Sequence, residues 1–167
     1  QPVGDRWSLS HPFGDTGRLA TNRGDLETTK KIFLESIQTF EELGNQSWIS
    51  NSLRGLARAN FLQGDHAGAR GFLEKSLAIA ETINDSSEAA WTQYRIGLIE
   101  WAEGQSEQAH QNLLSALASI EKTGVKEDIS FLKAIYGFME CANGHFSQGR
   151  GKIEAELERM KTDTPIN

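Results

Sequence analysis

The stretch RGDLETTKKIF, residues 23–33, opens with a Gly-Asp pair that returns along the chain at one fixed spacing. Related stretches are QGDHAGARGFL, EGQSEQAHQNLL and NGHFSQGRGKI, and their turn glycines lie 40 residues apart at Gly24, Gly64, Gly104 and Gly144. A turn residue that recurs at a fixed period is typical of proteins built from stacked structural repeats. The sequence therefore predicts a repeat architecture.

Small side chains recur on both sides of these glycines. Seven residues before each glycine lie Gly17, Ala57, Gly97 and Gly137, and five residues after lie Thr29, Ala69, Ala109 and Gly149. Small residues at matched positions let two neighbouring helices approach closely, so each repeat is predicted to be a helix pair. Large apolar residues nine and thirteen positions after the glycine predict the buried stripe of the second helix: Phe33, Leu73, Leu113, Ile153, Ile37, Leu77, Leu117 and Leu157.

The helix ends carry their own signals. Asp25, Asp65 and Asp85 can cap the helices that follow them, and Gly44 and Gly124 stand where a helix needs a left-handed residue at its C-terminus. Pro12 is expected to bend or shorten the first helix. We predict an all-α fold of about eight antiparallel helices, near residues 5–22, 26–42, 46–62, 66–82, 86–102, 106–122, 126–142 and 146–161.

Composition excludes several classes of protein. The 167 residues are 38% hydrophobic and 24% charged, as in ordinary globular proteins, and the net charge of −6 argues against a nonspecific grip on nucleic acid. The single cysteine, Cys141, excludes an internal disulfide and suits the cytoplasm. No apolar run approaches the ~20 residues of a membrane helix. The start at Gln1 instead of methionine suggests a fragment of a larger protein.

The period, the small residues and the Gly-Asp turn together resemble the tetratricopeptide repeat (TPR) superfamily. The residues that carry the resemblance are Leu56-Ala57, Ile96-Gly97, Tyr136-Gly137, Ala69, Leu73, Ser76, Ala109, Leu113 and Ala116. The resemblance implies one domain over residues 1–167, a right-handed α-solenoid of four repeats near 4–43, 44–83, 84–123 and 124–161. The period of 40 exceeds the usual 34, and Asn60, Glu100 and Glu140 replace an aromatic residue that is common in the family.

Longer phrases, such as ARGFLEKSLAIAETIND, resemble the long-period repeats of bacterial LuxR-type transcriptional regulators and signalling ATPases. That resemblance implies a regulatory or C-terminal arm of a bacterial signalling protein. The ATP-binding pattern GxxxxGK[ST] is absent from this sequence, so an attached switch domain would lie elsewhere.

Candidate chemical sites have simpler interpretations. Arg23-Gly24-Asp25 matches a cell-adhesion tripeptide, but its glycine is also the inter-helix turn and its aspartate a helix cap. The histidines lack the close pairing of a metal site, and Cys141 is typical of a small buried hydrophobe: the histidines are His11, His66, His110 and His145. We predict no cofactor, no metal and no enzymatic activity, because the sequence contains no recognisable acid–base pair, nucleophile or cofactor motif.

The family's repeat positions imply a concave groove lined by the first helix of each pair. Arginines occupy the early positions and aromatic residues the later ones, which would suit a peptide with an acidic end and an apolar end. The aromatic residues have an equally simple reading as core between repeats. The groove residues are His11, Arg18, Asn51, Arg54, Arg58, Trp91, Tyr94, Leu98, Trp101, Phe131 and Phe138.

Two functions follow from this reading. The first is a scaffold that binds a peptide or a partner domain in the groove, and the alternative is a sensor that binds a small signalling molecule there and controls an attached ATPase or DNA-binding domain. Neither function involves direct contact with nucleic acid or a membrane. A homodimer through the first repeat is also possible on this reading, because Trp7, Leu9 and Phe13 are expected to be exposed.

Overall fold

The computed structural model describes residues 10–163, which form eight helices joined by short turns. The helices are α1 (Ser10–Asn22), α2 (Leu26–Glu42), α3 (Gln46–Leu62), α4 (His66–Thr82), α5 (Ser86–Ala102), α6 (Ser106–Glu121), α7 (Lys126–Ala142) and α8 (Phe146–Asp163). Every predicted helix is present, and from α2 onward each described boundary lies within two residues of the prediction. Residues 5–9 of the first predicted helix lie outside the described part. Pro12 falls in the first described turn of α1, where a missing backbone donor costs little.

The turns explain why the helices stop where they do. A residue with positive φ stands at every link, from Gly24 (φ 77°) to Gly144 (φ 92°), with Asn84 (φ 54°) serving at one link. These links are 20 residues apart, so the 40-residue period contains two similar turns. At the first four links aspartate or asparagine then caps the next helix: the Asp25, Asn45, Asp65 and Asp85 side chains each accept a bond from a backbone N–H three residues on. Gln105 before α6 and Val125 before α7 make no such bond.

Contacts divide the chain into two units, Gln1–Thr92 and Gln93–Asn167. In the first unit, α2 packs on α1 and α3, α3 packs on α4, and α1 also touches α3. Its core contains buried Phe40, Ile49 and Leu53. Phe13, expected to be exposed, is half-buried and meets Phe40 edge-on at 6.2 Å between ring centroids. Trp7 and Leu9 lie outside the described residues.

Buried hydroxyl groups link successive helices of the first unit. The Oγ atoms of Ser50 on α3 and Ser76 on α4 lie 2.8 Å apart, and Ser76 Oγ lies 3.0 Å from Thr92 Oγ1 on α5. Each hydroxyl can also donate to a backbone carbonyl: Ser50 to Ser76, Ser76 to Ser50, and Thr92 to Glu88. Because every one of these polar groups has a partner, small polar residues are accommodated in the helix contacts.

In the second unit, α7 packs on both α6 and α8. The buried side chains of this unit include Ile99, Leu113, Ile120, Leu132 and Met139. Several of the predicted small residues lie where two helices approach closely. A Cβ atom added at Gly137 on α7 would lie 2.8 Å from the carbonyl oxygen of Gly149 on α8. The prediction of a close helix crossing at these positions is therefore confirmed.

One predicted core position is wrong. Leu157 was expected in the buried stripe of the last helix, but it is 53% exposed. Its counterpart Leu117 is buried on α6, against which α7 packs. The sequence pattern indicates which positions can face a neighbouring helix, but a side chain at such a position is buried only where a helix packs over it.

Candidate functional site

The predicted groove residues lie on α1, α3, α5 and α7, the first helices of the four pairs. In the 40-residue register they form columns: Asn51, Trp91 and Phe131 share one column, and Arg18, Arg58, Leu98 and Phe138 share another. A common column places each side chain on the same face of its own helix. Their surroundings differ strongly between the two units.

Arg54, predicted as a groove arginine, is buried in an ion pair. It is 8% exposed, and its Nε and Nη2 atoms donate to the two carboxylate oxygens of Glu88 at 3.1 and 2.8 Å. Such a two-bond fork fixes the orientation of both groups. Burial nevertheless raises the pKa of the Glu88 carboxyl above its ordinary range, because desolvation outweighs the attraction of Arg54. Asp85 nearby raises this pKa further, and a bond to Ser50 opposes the rise.

The other early groove residues are more accessible. Arg18 is exposed and pairs with Asp15 one turn away on α1, with 3.0 Å between Nη2 and Oδ1. Arg58 is half-buried, and its Nη2 donates to the Asn22 side-chain oxygen at 3.0 Å. Asn51 on α3 and Trp91 on α5 are half-buried. Arg18 and Arg58 could thus exchange weak surface partners for an anionic ligand, whereas Arg54 could do so only by displacing Glu88.

The second unit carries a surface that we call the aromatic strip, formed by Tyr94, Leu98 and Trp101 on α5 with Phe131 and Phe138 on α7. Tyr94 and Phe131 meet edge-on at 5.9 Å between ring centroids, and Trp101 and Phe138 do so at 6.0 Å. Edge-on pairs at this distance are favourable for aromatic rings. Phe131 is nevertheless 45% exposed and Phe138 53% exposed. The two phenylalanines are therefore held in place but remain open to solvent, unlike the buried Tyr94.

A polar cluster around Glu140 was not predicted. Glu140 is 6% exposed, and its carboxylate faces the Nδ1 atoms of His110 at 3.4 Å and His145 at 3.6 Å, and Lys152 Nζ at 3.6 Å. The Tyr136 hydroxyl oxygen lies 3.4 Å from His110 Nε2, and Lys152 Nζ lies 4.0 Å from the centre of the Tyr136 ring. A buried carboxylate needs such partners, because an unpaired buried charge is strongly unfavourable.

Three members of the cluster, Glu140, His110 and His145, line an open cleft of about 420 Å³ together with Ser106, Glu107 and Asn143. A signal for it exists in the sequence, because Glu140 and Glu100 both replace an aromatic residue at the same repeat position. Glu100 is also buried and accepts a bond of 2.7 Å from the Asn112 side chain. The sequence could not indicate that His110 and His145, which are 35 residues apart, would meet at one carboxylate.

The other candidate sites from the sequence consist of residues with structural roles. Gly24 of the adhesion-like tripeptide has φ 77°, and the Asp25 side chain caps α2 by accepting from the Thr28 backbone N–H at 3.1 Å. Hydrogen bonding from the Thr28 side chain, and after it from the Thr28 backbone, lowers the pKa of the Asp25 carboxyl. His66 stacks on Phe61, and the side chain of His11 lies outside the described part. Among the described residues, no group of three or more histidine, cysteine or acidic side chains could hold a metal ion.

Cys141, predicted as a small buried hydrophobe, is partly buried near the end of α7. It lies beside the crossing with α8, since a Cβ atom added at Gly149 would come within 2.5 Å of its sulfur. Across residues 10–163, no helix combines the length and the apolar composition that crossing a lipid bilayer requires.

Comparison with known proteins agrees with this architecture. Residues 16–82 match the family model described as tetratricopeptide repeat. None of the curated protein sequences matches the chain. The structure is similar to the crystal structure of BtubC (BKLC) from P. vanneervenii, with a TM-score of 0.73 and 14% identity over 95% of this chain and 66% of that one.

It is also similar to the nearly identical TPR-like repeats of a Podosopora anserina protein assigned as a kinesin light chain, with a TM-score of 0.69 and 18% identity. That match covers 96% of this chain and 78% of the other, and a single-residue variant of the same protein gives a TM-score of 0.68. Identities this low establish the fold alone. TPR-like folds are typical of non-catalytic scaffolds that bind proteins or peptides. The resemblance to the TPR superfamily is thereby confirmed: residues 16–82 match its repeat, and the chain has the TPR-like helical-repeat fold.

Proposed function

We propose that this protein is an interaction module that binds a peptide or a partner domain through the aromatic strip. The observation that carries the proposal is the exposure of Phe131 and Phe138, each about half open while packed edge-on against Tyr94 and Trp101 respectively. Aromatic side chains that are already held in place lose little conformational entropy on binding and are favoured as binding anchors.

The strip differs from an ordinary part of the protein surface. Single exposed hydrophobic residues are common, but neighbouring aromatic residues on two adjacent helices form a connected apolar area, and such areas mark interaction sites. None of its five residues carries a charge. We assign the strip a binding role and no catalytic one, because phenylalanine, tryptophan and leucine side chains offer no acid, base or nucleophile and the one tyrosine, Tyr94, is buried.

The test uses purified protein and a Phe131→Ala, Phe138→Ala double variant. Polypeptides captured by the wild type from lysate of the source cell are identified, produced in pure form and titrated against both proteins by calorimetry. We expect direct binding to the wild type and at least a tenfold loss of affinity in the double variant, since truncation of aromatic anchors commonly removes more than about 1 kcal/mol each.

A matched control is Leu114→Ala on α6, which truncates another exposed apolar residue, 44% exposed, outside the strip. The control is expected to bind as the wild type does, and circular dichroism establishes that all variants are folded. Unchanged affinity in the double variant would show that the partner does not bind through the aromatic strip. The absence of any polypeptide that binds directly would overturn the interaction function itself.

The finer proposal is a regulatory arm of a bacterial signalling or transcriptional regulator that works in the cytoplasm. Its support is the resemblance of the long-period repeats and the single cysteine. Translation of the DNA that flanks the coding sequence tests it: an adjoining ATPase or DNA-binding segment is expected, and flanks that encode neither would overturn it.

The alternative function is sensing of a small molecule, and the cleft beside Glu140 favours it. The cleft combines two imidazoles, a serine hydroxyl and an asparagine amide in one open space. A ligand that binds only the folded state raises the melting temperature. A metabolite panel is therefore expected to stabilise the wild type but not a His110→Ala, His145→Ala variant. Equal shifts in both proteins, or none in the wild type, would exclude this cleft.

A further inference from the structure

We infer that the aromatic strip binds a short peptide segment through one large apolar side chain, which enters a notch above Ala134 between Phe131 and Phe138. This inference rests on the proposed interaction function and specifies the chemistry of the partner.

The notch follows from helix geometry. Phe131 and Phe138 are seven residues apart on α7, so their backbones are separated by about 10.5 Å along the helix axis. Ala134 lies between them on the same face and is half-buried, so we expect its small methyl group to leave a hollow between the two larger flanking rings. Across on α5, half-buried Leu98 lies between Tyr94 and Trp101, the residues that hold the two phenyl rings. The hollow thus has an apolar floor and aromatic ends.

The exposed area of the aromatic strip indicates what size of partner it can bind. A phenylalanine side chain offers roughly 150–250 Å² in total, so the exposed parts of Phe131 and Phe138 together amount to about 200 Å². A stable interface between two folded proteins needs about 800 Å² from each partner. Even if the half-buried residues doubled the area, it would remain near half of that requirement. The strip by itself is therefore too small to hold a second copy of this chain, and its area matches a short segment with one anchoring side chain.

The charge of the notch selects the side chain. Phe131, Ala134, Phe138 and Leu98 are all uncharged, and Lys133 on α7 instead pairs with Glu121 on α6, with 3.6 Å between Nζ and Oε1. A charged anchor would lose its hydration without gaining a partner from these four side chains. Leucine, methionine and phenylalanine fit the notch, and the anchor's contribution to binding is expected to change little with salt, because screening acts on charge pairs.

The experiment selects binders from a library of random 12-residue peptides displayed on phage, with the full chain as target. Selected peptides are synthesised and titrated against the wild type and Ala134→Phe, which fills the notch. We expect the selected peptides to share a leucine, methionine or phenylalanine whose change to alanine weakens binding at least tenfold. Ala134→Phe is expected to weaken binding by a similar factor.

The matched control is Ala118→Phe, which adds the same side chain at an exposed alanine of α6. It should leave the affinity unchanged, and melting curves establish that both variants fold. Peptides that bind the wild type and Ala134→Phe equally would overturn the notch and leave the interaction function standing. No selected peptide, or a wild-type dimer in sedimentation that Phe131→Ala and Phe138→Ala dissociate, would overturn the peptide as occupant.

Discussion

Arg54 and Arg58 stand one turn apart on α3 with similar surroundings in sequence, yet only Arg54 is buried. The difference comes from Glu88, 34 residues further along the chain, whose carboxylate reaches back to Arg54. No local pattern could predict this pairing, because a long-range partner determines it. The same is true of Glu140, whose partners come from α6, the α7–α8 turn and α8. The residue types indicated that these positions were unusual, but they could not identify the partners.

Glu88 gives a prediction for the dependence of stability on pH. Because its pKa is raised, the folded state binds a proton there more tightly than the unfolded chain does. The stability of the wild type relative to Glu88→Gln is therefore expected to fall as pH rises from about 4.3, the ordinary value for glutamate, through the raised pKa, and then to level off. Urea unfolding of both proteins at a series of pH values measures this difference. A difference that grows with pH would contradict it.

Asp25 behaves in the opposite way. Its pKa is lowered, so its stabilising effect as a helix cap is present above the ordinary aspartate range and is lost as pH falls through the lowered value. Asp25→Ala is expected to lower the melting temperature at neutral pH by more than Asp25→Asn, because asparagine retains a side-chain oxygen that can cap α2. Arg23→Ala, at an exposed position of the same tripeptide, serves as the control and should melt as the wild type does. Equal melting temperatures for the two Asp25 variants would show that the Asp25 side chain does not stabilise the protein by capping α2.

At the scale of the helix, local chemistry made the boundaries predictable. A residue with positive φ stands at each link, and at the starts of α2, α3, α4 and α5 a capping side chain follows it directly, so no distant contact is needed to place these ends. Glu88 shows the limit of this reasoning. Three residues after the Asp85 cap, it matches a capping-box pattern, yet its carboxylate binds Arg54.

The crossing of α7 and α8 provides a test of packing between helices. Gly137→Ala would bring a Cβ atom to 2.8 Å from the Gly149 carbonyl oxygen, so the helices must separate. We expect a loss of about 1–3 kcal/mol in the free energy of unfolding, typical of overpacked contacts. Gly151→Ala on α8 is the matched control, because its Cβ would meet nothing within 4 Å. Alanine has the higher helix propensity, so the control should gain up to ~1 kcal/mol. Similar free energies for the two variants would exclude a packing effect.

At the scale of the whole molecule, the sequence predicted the repeat fold because the period appears in four copies and each copy reinforces the others. The groove was less predictable. Repeat register placed Tyr94 and Phe131 on one face of their helices, but it could not distinguish the buried ring from the exposed one, since exposure depends on how the neighbouring helices pack.

The predicted single domain can be tested by native-state hydrogen exchange. If residues 1–167 unfold as one cooperative domain, the slowest amides of both units should open with the same free energy, because only global unfolding exposes them. The relevant amides include buried Leu56 and Leu73 in the first unit and buried Leu113 and Leu132 in the second. Two distinct plateaus that divide near Thr92 would instead indicate two domains.

The buried hydroxyls of the first unit bear on how such a chain can change over generations. The hydroxyls of Ser50, Ser76 and Thr92 bond both to one another and to backbone carbonyls. If Ser76 is mutated to alanine, the Ser50 and Thr92 hydroxyls therefore each keep a hydrogen-bond partner. Alanine already stands at the equivalent positions Ala90 and Ala116. Serine and alanine are thus interchangeable at these sites under selection for folding alone. Neutral substitutions at these sites reduce the sequence similarity between repeats, while the spacing between the helices stays the same. This is consistent with a fold that is shared at 14% sequence identity.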